Sequence, residues 1–148
     1  MNDPLPAWFW PLLPLAAVGF FCLISLILSA VGGWRRLAEA YPDDVPAHGG
    51  VTFHWQSAQV GAVNYNRCIN VTVDPTRLRL SVMVFFRVGH PPVSIPLTDV
   101  SVEVGRAWFG SVGTLRLARE PNIRIRLRRG LVDRIAEASA GQLRIHES

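Results

Sequence analysis

Lysine is absent from this chain: all 15 cationic side chains are arginine, set against 11 carboxylates, for a net charge of +4. Such a bias follows from genome base composition as readily as from recognition of phosphates or carboxylates, so by itself it selects no partner. Cysteine is almost absent. Cys22 lies in an apolar stretch and Cys68 in the later part of the chain, so an intrachain disulfide would need partners on opposite sides of a lipid boundary, and a reducing compartment suits both thiols.

The familiar catalytic signatures are missing too. There is no Gly-x-Ser-x-Gly elbow, phosphate loop, His-Glu-x-x-His helix or paired carboxylates. His48, His54, His90 and His146 have no close pairing, and zinc-type cysteine spacing is lacking. The sequence therefore calls for no metal and no cofactor, and the expectation is a protein that is not an enzyme. Asn70-Val71-Thr72 matches a glycosylation sequon, but it falls in an expected strand and is read as a chance match.

Charge is missing altogether from Pro4 through Trp34, and what fills that gap is apolar. Pro11 to Val31 would make about 31 Å of α-helix, matching a hydrocarbon core of about 30 Å. Trp8 and Trp10 stand at one end and Trp34 at the other, where indoles favour the headgroup level. With a start near Pro11, both Pro11 and Pro14 fall among the first four helical positions, whose N–H groups have no intrahelical partner. Ser25 and Ser29 are expected to bond back to the preceding turn. The anchor and its stalk thus occupy residues 1–41, with a span over about 11–33.

Direction follows from Arg35 and Arg36, immediately after the span, whereas the tail before it holds Asp3 and no cation. The positive-inside bias places the N-terminus outside and the remainder in the cytoplasm. A cleaved signal peptide is the rival reading, with Ala30-Val31-Gly32 as a small-residue site. It lacks a basic n-region, and the apolar run exceeds the usual length.

Trp34, Leu37, Ala38 and Tyr41 recur at helical spacing up to Pro42. This stripe either frays in water or docks on the domain that follows. Residues 42–50 read as a linker that holds the domain close to the bilayer. From Val51 the period changes to two, with Val51, Phe53 and Trp55 alternating with Thr52, His54 and Gln56. Further strands are expected near 69–73, 78–86, 93–95, 100–104, 114–117 and 123–127, separated by turn-forming Asp-Pro, Gly-His-Pro-Pro and Glu-Pro-Asn segments. After Gly130, Leu131, Val132, Ile135 and Ala136 form one helical stripe, and Leu143 and Ile145 permit a last extended piece.

The fold class is therefore α+β, mainly β: an N-terminal transmembrane helix, then over residues 51–148 a bent antiparallel sheet or barrel of about seven strands closed by one C-terminal helix. That element order is the pleckstrin-homology-like one, with a small SH3-like barrel as the fallback. Trp34-Arg35-Arg36-Leu37-Ala38 with Tyr41-Pro42, and Phe86-Arg87-Val88-Gly89-His90-Pro91-Pro92 running into Ile95-Pro96, carry a family likeness. In these segments the chain resembles short, uncharacterised bacterial single-span membrane proteins with a pleckstrin-homology-like domain. The resemblance implies that fold and attachment to the bacterial inner membrane, and implies no activity. Phosphoinositide-binding members of the wider fold place cations between their first two strands, whereas here residues 57–66 contain none.

Two features are candidate sites. Arg124, Arg126 and Arg128 alternate with Ile123, Ile125 and Leu127, about 6.7 Å apart along one face of a strand. With Arg116, Arg119 and Arg129 they would form a basic face for an anionic lipid surface, or simply a solvated one. Gly89, His90, Pro91 and Pro92 form a rigid turn that either fixes hairpin geometry or presents His90 to a partner. Nucleic acid is not expected, because no recognition helix or aromatic platform accompanies the charge. The expected partners are the lipid bilayer and a protein of unknown identity, for a non-enzymatic interaction module at the inner membrane surface. The alternative is an enzyme or enzyme subunit working near His90.

Overall fold

The computed structural model describes residues 4–44, 49–108 and 110–147. Residues 45–48 of the expected linker, with His48, and Ser148 lie outside the described residues.

Helix α1 covers Phe9–Gly32, about 36 Å, and is long and apolar enough to cross a membrane. It starts earlier than the hydropathy implied, because the Phe9 amide already donates to the Pro6 carbonyl at 2.8 Å. Pro14 consequently sits inside the helix, beyond the positions where a missing N–H is free of cost. Its large apolar side chains are mostly exposed, while Ser25, Ser29 and Gly32 are buried. This inversion of the soluble pattern fits a helix whose outer solvent is hydrocarbon.

The helix does not continue smoothly into the stalk. Gly33, at φ +78°, ends α1 in a left-handed cap that donates to the Ala30 carbonyl, and α2 restarts over Trp34–Ala40. The stripe docks rather than frays: Trp34, Leu37 and Tyr41 are among the most buried side chains of the core. Removing such a side chain from water contributes about 1.5–3 kcal/mol, so three together outweigh the freedom of a short exposed helix. The expected linker is bound at its start. Pro42 bridges to Val93, and Asp43 pairs with Arg79.

The rest of the chain forms β1 (Val51–Val60), β2 (Val63–Val73), β3 (Arg77–Val82), β4 (Val93–Pro96), β5 (Val100–Ala107), β6 (Gly110–Leu117), β7 (Arg124–Arg128), α3 (Arg129–Ala138) and β8 (Arg144–Glu147). The eight strands make one curled sheet in the order β4-β3-β2-β1-β7-β6-β5-β8. All neighbours are antiparallel except β5 and β8. The class is α+β as expected, with one strand more than the estimate of about seven.

Two differences have local causes. The segment before Ile69 is strand, not loop: β1 turns at Gly61-Ala62 into β2, whose alternation is broken by Arg67 at φ +50°, so its period of two was masked. The apolar run expected to extend β3 leaves the sheet instead. Strand β3 ends at Val82, and Val84–Phe86 wind into a short 3-10 turn that meets α1.

Core side chains from both halves of the sheet converge with α2 on one side. Helix α3 packs Leu131, Val132 and Ile135 over β6 and β7. The approach depends on Gly113, where a Cβ would stand 2.5 Å from a Val132 methyl.

Candidate functional site

Two places in the fold gather polar chemistry. The first is the junction between α1 and the loop joining β3 to β4. Gly89 adopts φ +74°, and a Cβ there would meet Leu26 of α1 at 2.8 Å, so the loop backbone lies directly on the helix. Ser25 donates its hydroxyl to the Val88 carbonyl at 2.8 Å, and Ser29 donates to that of Gly89. The Phe21 and Phe86 rings pack with centroids 5.3 Å apart. Phe21, Ser25, Ser29 and Gly32 thus form a single stripe facing the domain, instead of bonding within their own helix.

His90 sits behind this contact with only 2% of its surface exposed. It is therefore not presented at a turn, as the rigid Gly-His-Pro-Pro segment implied, but is enclosed by Trp34, Tyr65 and Ser25. Its Nε2 lies 2.9 Å from the Tyr65 hydroxyl, and its Nδ1 lies 3.2 Å from both Ser25 Oγ and the Val88 carbonyl. Because the Ser25 proton is already given to Val88, the consistent assignment has Nδ1–H donating and Nε2 accepting from Tyr65. Burial pushes the imidazole below its ordinary value, opposed by hydrogen bonds to the Val88 and Phe86 carbonyls. Burial, reinforced by the neighbouring Cys68, pushes the Tyr65 phenol up to about 12. Both groups are held neutral.

The tryptophans expected at the membrane surface separate. Trp8 and Trp10 are exposed at the start of α1, whereas Trp34 is fully buried. Its Nε1 donates to the Pro91 carbonyl at 2.9 Å, which makes it a core residue and removes it from any headgroup role. Pro91 itself is exposed and Pro92 is half-buried, leading directly into β4. Arg35 pairs with Glu39, and Arg36 reaches Glu120 of the domain at 3.3 Å.

The second place is a groove of about 1140 Å³ lined from β1, β2, β5, β6, β7 and the start of α3. The alternation read for β7 holds: Arg124, Arg126 and Arg128 are exposed while Ile125 and Leu127 are buried. The expected basic face does not hold together, however. Arg116 pairs with Glu103, Arg129 with Asp133, and Arg119 with Asp99 while its guanidinium lies 5.1 Å from the Tyr41 ring. Arg119 is a clamp on the stalk.

Arg126 and Arg128 line the groove with Arg106 from β5, and Gln59, Asn64 and Asn66 line it as well, Gln59 being the register neighbour of Arg126. None of these three arginines forms an ion pair with a carboxylate among the described residues. Arg124 lies outside the lining, at the start of β7, where its carbonyl accepts from the Gly61 amide. Among the described residues no group of three His, Cys, Asp or Glu is placed to hold a metal ion.

No protein-family model and no curated protein matches the chain. Sequence reasoning missed Ser25, Ser29, Tyr65 and Arg106 as participants. The first two left a readable signal, since Phe21, Ser25, Ser29 and Gly32 are spaced on one face of an otherwise apolar helix. Tyr65 and Arg106 left none, because their neighbours are set by strand pairing across the sheet.

Proposed function

We propose that this chain is a single-span bacterial inner-membrane protein whose β domain, pleckstrin-homology-like in design, faces the cytoplasm and acts as a non-enzymatic module for an acidic protein partner. The observation that carries the reading is the attachment of the domain to its helix. Trp34 and Leu37 are built into the core, and Gly61 approaches Gly32 so closely that a Cβ would stand 2.4 Å from its carbonyl oxygen. A domain fixed in this way holds its groove at a constant height and angle to the bilayer, an arrangement suited to meeting a partner at the same surface.

Several features support the parts of this reading. Strand β1 is shared between the β2-β3-β4 and β7-β6-β5 halves of the sheet, and a helix follows β7, in keeping with the pleckstrin-homology-like order. Cytoplasmic placement rests on Arg35 and Arg36. Cleavage near Ala30-Val31-Gly32 would strip Ser25 and Ser29 from the Val88 and Gly89 carbonyls, which favours a retained helix over a signal peptide. Acidic chemistry for the partner is supported by Arg106, Arg126 and Arg128, which form no ion pair with a carboxylate among the described residues. Contacts of the Gly89 to Pro92 turn with Ser29 and Trp34 weigh against it as the recruiting element. Enclosure of His90 weighs against an enzyme working through it.

The test uses the full chain in native membranes, with a photocrosslinking residue in place of Thr114, beside Arg126 in the sheet register. A discrete adduct is expected that disappears in Arg126→Glu/Arg128→Glu and persists in Arg134→Glu. An adduct indifferent to the groove charges, or substrate turnover by the purified chain, overturns the module. A reporter at the C-terminus that is active only outside the cell overturns the orientation.

A further inference from the structure

The loop between β3 and β4 leaves the domain and runs back along the apolar helix. Its contacts with α1 reach from Gly89 beside Leu26 up to Phe86 beside Phe21, a level about 16 Å along the helix from Gly32. At its tip the side chains turned away from α1 are apolar and open: Phe85 is 73% exposed and Val84 71%. Two adjacent large apolar residues, fastened to the flank of a helix whose own flank is apolar, have the same surroundings as that helix. We propose that the tip of this loop, residues 83–87, is a second membrane-embedded element, with Val84 and Phe85 immersed in the acyl chains of the leaflet next to the domain. This rests on reading α1 as a span.

The physical objection to irregular backbone in lipid is that its polar groups lose water and need other partners. Here several of them have such partners. The amides of Phe86, Arg87 and His90 donate within the loop to the carbonyls of Met83, Val84 and Arg87 at 2.9, 3.3 and 3.0 Å. The carbonyls of Val88, Gly89 and Pro91 accept from Ser25, Ser29 and Trp34. The polar side chains of the span are spent on this task. Arg87 is exposed beside the tip, and its long stem lets the guanidinium reach back to lipid phosphates while its backbone stays at the level of the loop. An unpartnered apolar tip on a soluble face would call for a protein to cover it, whereas a tip laid against a span is covered by lipid.

Spin labels on the full chain in phosphatidylethanolamine–phosphatidylglycerol vesicles test the inference. They are placed singly at Val84→Cys, Phe85→Cys, Leu15→Cys on α1 and Trp108→Cys on the β5–β6 hairpin, which is 95% exposed, with Cys22 and Cys68 replaced by Ala. Each labelled chain is checked for unchanged thermal unfolding.

The expected result is collision with oxygen in preference to a water-soluble nickel complex at 84 and 85, as at 15, and the reverse at 108. Nickel access at 84 and 85 with lipid values at 15 overturns the inference and leaves the span intact. Protection of 84 and 85 from both reagents also overturns it, because a second protein surface then covers the tip. Nickel access at 15 overturns both the inference and the reading of α1 as a span.

Discussion

Ser25 on the apolar helix donates its hydroxyl proton to the carbonyl of Val88, 63 residues later in the chain, at 2.8 Å. A serine in such a helix ordinarily bonds to its own preceding turn. Here it satisfies a foreign backbone group, and Ser29 repeats the arrangement one turn on with Gly89. The pair converts a loop lying on a hydrophobic helix from a costly arrangement into a stable one.

Ser29→Ala strands the Gly89 carbonyl, at about 1–3 kcal/mol, whereas Ser25→Ala leaves the Val88 carbonyl with His90 Nδ1 as its remaining donor. Ser29→Ala is expected to raise hydrogen exchange of the 83–90 amides by roughly 5- to 150-fold, and Ser25→Ala by less. The check is mass spectrometry of the reconstituted chain, with Leu15→Ala, on an exposed part of α1, expected to leave those amides unchanged.

Gly61→Ala is expected to loosen the domain from its anchor. Its backbone is at φ +57°, and a Cβ would stand 2.4 Å from the Gly32 carbonyl oxygen, so strain of about 1–3 kcal/mol adds to a forced separation of α1 from the β1–β2 turn. Thermal unfolding in detergent should fall by several degrees. Gly19→Ala, with nothing near the new methyl, should leave it unmoved.

Trp34 separates packing from hydrogen bonding. Trp34→Ala empties a fully buried site, at about 3–5 kcal/mol. Trp34→Phe keeps most of the packing but strands the Pro91 carbonyl, at about 1–3 kcal/mol. Chemical denaturation should rank wild type above Phe above Ala. A residue at the headgroup level would instead show little difference in domain stability among the three.

The buried imidazole and phenol predict opposite pH limbs. The folded state holds His90 below the ordinary 6.5, so as pH falls through 6.5 the unfolded chain takes up a proton that the folded chain refuses, and stability drops until the lowered folded value is passed. The folded state holds Tyr65 above 10.0, at about 12, so stability drops as pH rises through that interval, where only the unfolded phenol ionises. In denaturation midpoints His90→Gln should lose the limb that begins near pH 6.5, and Tyr65→Phe should shrink the alkaline limb, part of which buried Tyr41 and Cys68 keep. Retention of the first of these limbs in His90→Gln would place that titration elsewhere.

Much of the architecture was legible from residue order. The uncharged stretch from Pro4 through Trp34 marks α1, the Leu131-Val132-Ile135 stripe marks α3, and Arg124, Arg126 and Arg128 fall on the outward face of β7. These are local properties, since hydropathy accumulates along a chain and period distinguishes strand from helix whatever lies opposite. Strand β2 was partly hidden because Arg67 interrupts its alternation, and the 83–86 run was mistaken for strand because apolar residues look alike against a sheet or a helix.

Only the tertiary structure decided that Trp34 belongs to the core, that His90 is enclosed, and that Ser25 and Ser29 serve a loop far along the chain. It likewise decided which arginines meet carboxylates among the described residues, since Arg116 and Arg119 do while Arg126 and Arg128 do not. The physical reason is common to all of these. Each depends on which surfaces meet when the sheet curls and α2 enters it, and a contact between distant residues leaves no period, spacing or composition for residue order to carry.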